Sequence, residues 1–385
     1  MQLRRRPLRN LGSLLGLIGA AAAASPTYAM LSIDGQNAGV IFQYFADVDD
    51  IHVYSNHANY ALELQGPWAW NAAFNHEVVV IPALTAPAGS QESVDAITTA
   101  SRPIRDNNDA YRDFAKRRNE FQTALTRRNY TAGYYVSSET DYFAQLVRGN
   151  ANWDFFEQNL NLSTGASFGW DAIAPLADQD AAAVQDFRHT THFNVVATQV
   201  LGRTTMARVG LELNQVNGLQ HSPYRNVYVD GGNVAERHPD QRTRQDVFVK
   251  INQYFGNRSS LKLDYKLYGD DWGIRSHTVG TRLSQYVSPD FVVRYRYRYY
   301  TQTAADFFRS EYLVAGGIDG YQTGDYRMGE FAAHLFGTRV DWRLASLFGD
   351  DRFWSRLQLS LGFERYFNSN NFSANIFESG LSLAF

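Results

Sequence analysis

The chain of 385 residues contains no cysteine, and its formal net charge is only −3. Without cysteine it can form no disulfide, no thiolate metal site and no thiol nucleophile. The weak negative charge argues against a nucleic-acid partner, because proteins that bind nucleic acid present a strongly basic surface. Beyond residue 29, no apolar run reaches the roughly 20 residues that a membrane-spanning helix needs. The sequence therefore excludes thiol chemistry and helical membrane spans.

The first 29 residues have the organisation of a secretory signal peptide. Arginines within the first ten residues precede an apolar run of about 14 residues, and small residues follow that run. The run is too short for a helical anchor, and no cysteine follows it to carry a lipid. We expect cleavage after Ala29, with Ala24 as the second candidate.

Aromatic residues make up 14% of the chain, and several segments alternate between apolar and polar side chains. Residues 291–300 read FVVRYRYRYY, and residues 207–214, 261–268 and 357–364 alternate in a similar way. Successive side chains of a β-strand point to opposite faces, whereas a helix would scatter these charges around its circumference. These segments therefore predict strands with one apolar face and one polar face.

The carboxyl-terminal residues continue this pattern. Phe377, Ser379, Leu381, Leu383 and Phe385 share one face of an extended strand, and the other face is polar or small. A chain that stops on an aromatic residue is similar to the closing strand of bacterial outer-membrane β-barrels. In those proteins the terminal aromatic residue is part of the signal read by the barrel-assembly machinery. The resemblance implies that this machinery is a partner.

The connections between predicted strands are of two lengths. Short ones are predicted near residues 127–129, 149–150, 201–203, 255–257, 287–290 and 348–351, most of which contain Gly, Asn, Asp or Pro. Long polar ones are predicted at residues 83–118, 170–186, 217–240 and 303–326. Spanning barrels have short periplasmic turns and long extracellular loops, so both lengths are expected.

We therefore predict an all-β fold, a single transmembrane antiparallel β-barrel of about 16 strands. Counts of 14 or 12 stay open because the region before residue 120 is ambiguous. The predicted organisation is a signal peptide at residues 1–29, a periplasmic lead-in at 30–38 and the barrel at 39–385. Such barrels lie in the outer membrane of Gram-negative bacteria. A soluble β-sandwich would also alternate, but it would not need a terminal aromatic residue.

Three segments resemble an uncharacterised family of bacterial outer-membrane barrel proteins, defined only as a domain of unknown function. They are RYRYRYYTQTAADFF at 294–308, YGDDWGIRSH at 268–277 and HPDQRTRQ at 238–245. Upstream, SVDAITTAS at 93–101 is similar to the first long loop of that family. The resemblance covers nearly the whole mature chain and implies the fold and the location. Family members are often encoded near periplasmic flavin-transfer and thioredoxin-like proteins, an association with envelope redox chemistry.

Charged residues on the alternating strands are expected to face the barrel interior, because a charge facing lipid near the midplane costs about 2–4 kcal/mol. The basic residues predicted to line the lumen are Arg208, Lys262, Lys266, Arg282, Arg294, Arg296 and Arg298. The acidic residues predicted to oppose them are Glu157, Glu212, Asp264, Asp341 and Glu364. A basic pore wall favours anionic solutes. The alternative is a network of salt bridges that fills the lumen.

A second group of candidates is predicted at the extracellular rim. The residues of this rim motif are Asp270, Asp271, Trp272, Arg275, His277, Gln302 and Asp306. Carboxylates and an arginine gathered there could orient a ligand or bind a cation, although the spacing lacks the oxygen ligands of a calcium loop. The competing interpretation is that the acids accept backbone N–H bonds and fix the loops to the wall.

No motif for catalysis or metal binding is present. The sequence contains no HExxH, GxSxG or phosphate-binding glycine loop. Ser276 and His277 would point to opposite faces of a strand, which argues against a catalytic pair. We therefore predict no enzymatic activity, no catalytic residues, no metal and no cofactor. A hydrolase of the outer membrane is the least favoured function.

The leading functional hypothesis is a channel for small polar or anionic solutes. The alternative is a structural barrel or sheath that holds a periplasmic or surface partner, in keeping with the redox association of the family that the chain resembles. The expected partners are outer-membrane lipid and lipopolysaccharide, the barrel-assembly machinery and a small solute. The oligomeric state is left open.

Overall fold

The computed structural model describes residues 33–48, 51–81, 114–174, 185–223, 225–229, 232–313, 317–345 and 356–384. The predicted signal peptide, Phe385 and most of the predicted loop at 83–118 lie outside these residues. The first strand begins at Ile33, which pairs with Leu64 of the next strand. Residues 33–38, expected in a lead-in, therefore belong to the barrel wall.

Sixteen of the described strands form the wall. Those in the first half of the chain are β1 (Ile33–Asp47), β2 (His52–Leu64), β3 (Trp68–Ile81), β4 (Phe114–Arg127), β5 (Tyr130–Ser138), β6 (Tyr142–Phe155), β7 (Leu160–Ile173), β8 (Asp186–Gly202) and β9 (Thr205–Gly218). Those in the second half are β12 (Gln241–Phe255), β13 (Ser259–Asp270), β14 (Arg275–Ser288), β15 (Phe291–Gln302), β16 (Phe331–Arg343), β17 (Leu357–Asn368) and β18 (Ser373–Ala384).

Two short strands lie outside the wall. β10 (Asn226–Val229) and β11 (Gly232–Ala235) form a hairpin in the connection between β9 and β12. A single 3₁₀ turn, Tyr326–Met328, lies in the connection between β15 and β16. In the described part of the chain, no helix has the length and apolar character required to cross a membrane.

The sheet closes on itself because β1 pairs antiparallel with both β2 and β18. Closure gives every strand two neighbours and leaves no open edge. A sheet in lipid must meet this condition, since the bilayer core offers no water to unpaired backbone groups. The predicted barrel of antiparallel strands is confirmed, and the strand number is sixteen.

Alternation sorts the side chains of the wall into two faces. On β9, the outward residues Val209, Leu211 and Leu213 are 47%, 56% and 50% exposed. Arg208 and Glu212, which lie between them in the sequence, line an internal cavity. An exterior covered with exposed apolar side chains around a closed barrel is suited to lipid rather than to water. The protein is therefore an outer-membrane barrel of the Gram-negative type.

The two ends of the barrel differ in their connections. The end that we call the turn rim carries short connections at residues 65–67, 128–129, 156–159, 203–204, 256–258 and 289–290. The opposite end, the loop rim, carries the described parts of the connections at 219–240 and 303–330. The strand ends that flank residues 82–113 and 175–184, which lie outside the described residues, are at this same rim. Short turns at 139–141 and 271–274 also lie on the loop rim. In outer-membrane barrels the long loops face the outside.

One predicted turn, at residues 149–150, is wrong. Gly149 and Asn150 lie within β6, where Asn150 pairs with Thr131 on one side and Gly165 on the other. Their residue types are typical of turns, but ladder pairing on both sides keeps the backbone extended. The predicted turn at 348–351 lies outside the described residues.

Candidate functional site in the lumen and at the loop rim

A cavity of about 930 Å³ lies against the inner face of β8, β9 and β12–β15. Its wall contains seven basic and two acidic side chains. The basic residues are Arg208, Lys250, Lys262, Lys266, Arg282, Arg296 and Arg298, and the acidic residues are Glu212 and Asp264. The structure therefore brings six of the seven predicted lumen residues together at one cavity.

The seventh predicted lumen residue, Arg294, lines a second cavity of about 390 Å³. Arg294 forms an ion pair with Asp341, and Arg339 Nε lies 3.0 Å from the same carboxylate. Arg339 also forms an ion pair with Glu378. Arg294 and Arg339 are thus compensated by acids, as the salt-bridge interpretation predicts, whereas Arg282, which lines both cavities, is not compensated by any described residue.

Two of the residues at the first cavity are also compensated. Lys266 Nζ lies 2.7 Å from Asp246 Oδ2 and 3.7 Å from Glu212 Oε2. Arg296 Nη1 lies 2.8 Å from Glu364 Oε1. The Lys266–Asp246 pair links the neighbouring strands β13 and β12, and the Arg296–Glu364 pair reaches from β15 to β17 over Gly337 of β16. Both pairs reduce the positive charge that the cavity presents.

Lys262, Arg282 and Arg298 differ from those residues. Within the described part of the chain, none of the three has an acidic partner at ion-pairing distance, and neither do Arg208 and Lys250 at the same cavity. All three line the cavity, so their charges act on its contents. The basic wall is thus divided between paired charges that hold strands together and unpaired charges that face the lumen.

Glu157, predicted to face inward, is not part of the wall. It lies in the turn between β6 and β7, is exposed and has a φ of 54°. Because β6 ends at Phe155, the alternation that predicted its direction does not extend to residue 157.

Asp270 forms the centre of the side-chain cluster at the loop rim. Its carboxylate accepts hydrogen bonds from Arg242 Nε at 2.9 Å and from the Tyr268 hydroxyl at 2.7 Å. It also accepts from the backbone N–H groups of Trp272 at 3.1 Å and Ile274 at 3.0 Å. The side chain is 0% exposed. Asp270 therefore holds the β13–β14 turn and pairs with a buried guanidinium group.

The neighbouring turn residues are also fixed by backbone contacts. Asp271 accepts a hydrogen bond from the N–H of Thr243 at 2.9 Å. Gly273 has a φ of +88°, and a Cβ at this position would collide with the carboxylate of Asp306. The N–H of Asp306 donates to the carbonyl of Trp272 at 2.9 Å. These contacts support the interpretation that the acids fix the loops to the wall.

The three segments on which we based the predicted family resemblance meet in one aromatic cluster. The ring centroids of Trp272 lie 5.3 Å from those of both His238 and Phe307. The guanidinium carbon of Arg242 lies 4.1 Å from the centroid of the Trp272 ring. His238 and Arg242 belong to the 238–245 segment, Trp272 to 268–277 and Phe307 to 294–308. Segments that are distant in sequence thus build a single packed unit.

Gln302 holds the loop at 303–330 against the inner wall. Its side-chain Nε2 donates to the carbonyls of Arg327 at 2.8 Å and Gly329 at 2.7 Å. The Tyr300 hydroxyl donates to Gln302 Oε1 at 2.6 Å. Because Gln302 belongs to the inward face of β15, this loop folds toward the lumen.

The loops at 219–240 and 303–330 are joined by buried polar contacts, and together we call them the loop-rim unit. Arg225 Nη1 lies 2.9 Å from Asp325 Oδ2, and Thr323 Oγ1 donates to Glu236 Oε1 at 2.6 Å. Burial by itself would raise the pKa of Asp325. Hydrogen bonds from Arg327 and the charges of Arg327 and Arg225 outweigh burial and lower this pKa to about 2. Asp325 is therefore ionised inside the loop-rim unit at neutral pH.

Two residues of the predicted rim motif do not join this cluster. Arg275 and His277 lie on the outer face of β14, and His277 Nδ1 is 2.7 Å from the Tyr265 hydroxyl. Ser276, between them, is buried on the inner face. A catalytic pair of Ser276 and His277 is thus excluded by the geometry, while the absence of enzymatic activity stays a prediction.

No group of three or more His, Asp or Glu side chains within the described ranges could hold a metal ion. Asp270 and Asp271 instead use their oxygens on Arg242 and on backbone N–H groups.

Several members of the side-chain cluster at the loop rim were not predicted from the sequence. Arg242 could have been found, because alternation along β12 places it on the same face as Lys250 and it lies in a segment with family resemblance. Glu236 and Asp325 carry no comparable signal, since they lie in loops without periodic pattern.

The chain matches a family model over residues 15–380, and that family is described as "Protein of unknown function (DUF3570)". The chain belongs to this family. The predicted family resemblance is confirmed at that level, and the description of the family carries no activity. No protein with a curated description matches the chain.

Solved structures that the chain is similar to are outer-membrane proteins. OccD3 (OpdP) of Pseudomonas aeruginosa is 11% identical, with 95% of this chain and 96% of that chain covered and a TM-score of 0.45. OpdK of Pseudomonas aeruginosa is 10% identical, with 91% and 98% covered and a TM-score of 0.45. A loop-deletion mutant of OmpT, an outer membrane protein of Vibrio cholerae, is 8% identical, with 92% and 99% covered and a TM-score of 0.45. At these values the similarity supports no statement about function.

Proposed function

We propose that the barrel is a channel for small polar or anionic solutes. The observation that carries the proposal is the cavity of about 930 Å³ on the inner wall, with seven basic and two acidic side chains. A wall with excess positive charge raises the local concentration of anions and disfavours cations. The preference is expected to fall as salt concentration rises, because mobile ions screen exposed charges.

The unpaired basic residues should contribute most to this preference. Lys262, Arg282 and Arg298 lack acidic partners at ion-pairing distance among the described residues. Lys266 and Arg296 are each next to a carboxylate, which cancels much of their field at a distance. Arg294, another predicted lumen residue, is paired with Asp341.

The test is the reversal potential of the purified barrel in a planar bilayer under a KCl gradient. We expect the wild type to conduct with a preference for chloride over potassium. Combined replacement K262Q/R282Q/R298Q should reduce the permeability ratio toward one or below, because these charges have no internal partner to cancel them.

A matched control removes a pair of opposite charges from the same wall. The double variant K266Q/D246N leaves the net charge of the lumen unchanged, so its permeability ratio should equal that of the wild type. An unchanged ratio in K262Q/R282Q/R298Q would remove these residues from the selectivity site. A barrel with no conductance at all would contradict the channel proposal.

The loop-rim unit supports a second candidate function, a structural barrel that holds a surface partner. This unit has a packed aromatic cluster and buried ion pairs at the exposed end of the barrel, and such order is what a docking platform requires. Absence of conductance together with co-purification of a defined protein would favour this candidate over the channel.

A further inference from the structure

The inner wall brings basic side chains into direct lateral register. Lys262 pairs with Arg282 across β13 and β14, and Arg282 pairs with Arg296 across β14 and β15. Directly opposite residues of antiparallel strands have Cβ atoms about 4.5–5.5 Å apart. Arg298 lies two positions farther along β15 toward the loop rim. We call these four residues the cationic patch.

The cationic patch has little internal compensation. Arg296 forms an ion pair with Glu364, whereas Lys262, Arg282 and Arg298 have no acidic partner at ion-pairing distance in the described chain. Like charges placed directly opposite one another on neighbouring strands destabilise a sheet. The arrangement therefore works against the stability of the sheet, and an anion bound between these charges would relieve the repulsion.

Several basic side chains elsewhere on the inner face are paired. The pairs include Arg118 with Glu77 at 2.6 Å, Arg188 with Asp171 at 2.8 Å, Lys266 with Asp246 at 2.7 Å and Arg294 with Asp341. Pairing satisfies each charge and links strands to one another. Within the described chain, Lys262, Arg282 and Arg298 of the cationic patch depart from this pattern, as do Arg208 and Lys250 at the same cavity.

Two glycines of the wall lie beside the cationic patch. Gly280 lies in register between Asp264 and Arg298, and Gly337 lies in register with Arg296. The side chains of Asp264 and Glu364 occupy the space over these two glycines. The open space in front of the cationic patch is therefore the cavity of about 930 Å³ itself.

We propose that the cationic patch binds a small oxyanion that carries at least two negative charges. Guanidinium groups offer paired N–H donors that match the oxygens of phosphate and carboxylate groups. Several such cations in one row favour a ligand with more than one negative charge over a monovalent anion. The inference rests on the proposed function, since a soluble anion reaches this site only through the lumen.

The experiment is titration calorimetry on the full-length barrel, folded in a neutral detergent, at constant ionic strength. The probes are inorganic pyrophosphate for phosphate-bearing solutes, succinate for dicarboxylates and acetate as the monovalent control. We expect pyrophosphate or succinate to bind at least about tenfold more tightly than acetate. Equal binding of all three, or no binding, would overturn the proposal.

Variants assign the binding to the cationic patch. R282Q/R298Q should lower the affinity for pyrophosphate or succinate at least about tenfold, because hydrogen bonds to charged groups are lost. The control R188Q/D171N should bind like the wild type, since it removes an ion pair of the inner wall whose members do not line this cavity. Loss of the fold is controlled in two ways. The single variant R298Q is a milder change, and a gel assay verifies that each variant is a folded barrel. Unchanged affinity in folded R282Q/R298Q would contradict the assignment.

This readout separates the inference from the channel proposal. Binding that is lost in R282Q/R298Q, in a barrel without conductance, would retain the oxyanion site and reject the channel. Chloride-selective conductance without preferential binding of pyrophosphate or succinate would retain the channel and reject the site.

Discussion

At the scale of single residues, the two neighbouring aspartates of the loop rim have different roles. The side chain of Asp270 is fully buried and accepts hydrogen bonds from Arg242, Tyr268 and two backbone N–H groups. Asp271 is exposed and accepts one backbone hydrogen bond, from Thr243. Sequence alone could not distinguish them, because burial is set by the loop that folds over the turn.

We predict that D270N opens the loop-rim unit. Removal of one partner from a buried ion pair leaves the other charge unpaired and costs roughly 3–5 kcal/mol. Hydrogen exchange of the 268–277 and 303–313 backbone amides should rise accordingly, because Arg242 would remain buried without its carboxylate. The measurement is exchange mass spectrometry on the folded barrel in detergent.

The matched control for D270N is D271N, which removes the same charge one residue away. Its carboxylate is exposed and makes a single backbone contact, so the change should cost less than about 1 kcal/mol. Equal hydrogen exchange in the two variants would show that the buried Arg242–Asp270 pair does not determine the stability of the loop-rim unit.

At the scale of elements, the loop-rim unit joins two connections that are far apart in sequence. Arg237 and Gln322 exchange backbone hydrogen bonds of 2.9 Å in both directions. Asp325 forms an ion pair with Arg225, and Glu236 accepts a hydrogen bond from Thr323. The stability of this unit should therefore depend on the ionisation of its carboxylates.

We predict that acid opens the loop-rim unit. The pKa of Asp325 is lowered from an ordinary value of 3.8 to about 2, so the folded unit favours the ionised form. Its contribution is present above pH 3.8 and is lost as the pH falls toward 2, by roughly 2 kcal/mol. Burial opposes ionisation of Glu236, but hydrogen bonding to His238 and nearby charges lower its pKa too, and so add to the same acid sensitivity.

Limited proteolysis between pH 5 and pH 2 with an acid-stable protease tests this prediction. Cleavage within the loop-rim unit should increase below pH 4 in the wild type. In D325N the Asp325 share of the pH dependence should disappear, and the loops should already be more accessible at pH 5. A pH-independent cleavage rate in the wild type would contradict the prediction.

Local sequence pattern predicts the direction of side chains along the strands, but it does not always predict where a strand ends. The period of two along β13 and β15 correctly separated inward from outward residues, because pleating applies to every strand. Residue type alone, by contrast, predicted a turn at Gly149 and Asn150, and this prediction is wrong. Pairing with β5 and β7 overrides that local preference.

At the scale of the whole molecule, the exterior determines where the barrel is stable. Leu211 on β9 is 56% exposed on the outer face, with Val209 and Leu213 on either side. We predict that L211R reduces the yield of folded barrel, because an arginine facing lipid costs about 2–4 kcal/mol near the midplane. The measurement is the fraction of heat-modifiable protein in isolated outer membranes.

The control is N194R, which adds the same charge on the inward face of the neighbouring strand β8. Asn194 lines the cavity and pairs with Glu212 on the inner wall, where a positive side chain faces an acid. Its folded fraction should remain close to that of the wild type. Equal loss in L211R and N194R would argue against a lipid-facing exterior at Leu211.

The sequence by itself determined the antiparallel barrel and the face that carries charge along the alternating strands. These follow from short-range rules, since pleating acts between near neighbours in the chain. Three sequence segments also indicated the family. Only the tertiary structure decided which of the basic lumen residues are paired and which are not. Register between strands sets those distances, and the same long-range packing gathered Arg242, Asp270 and Phe307 into one unit at the loop rim.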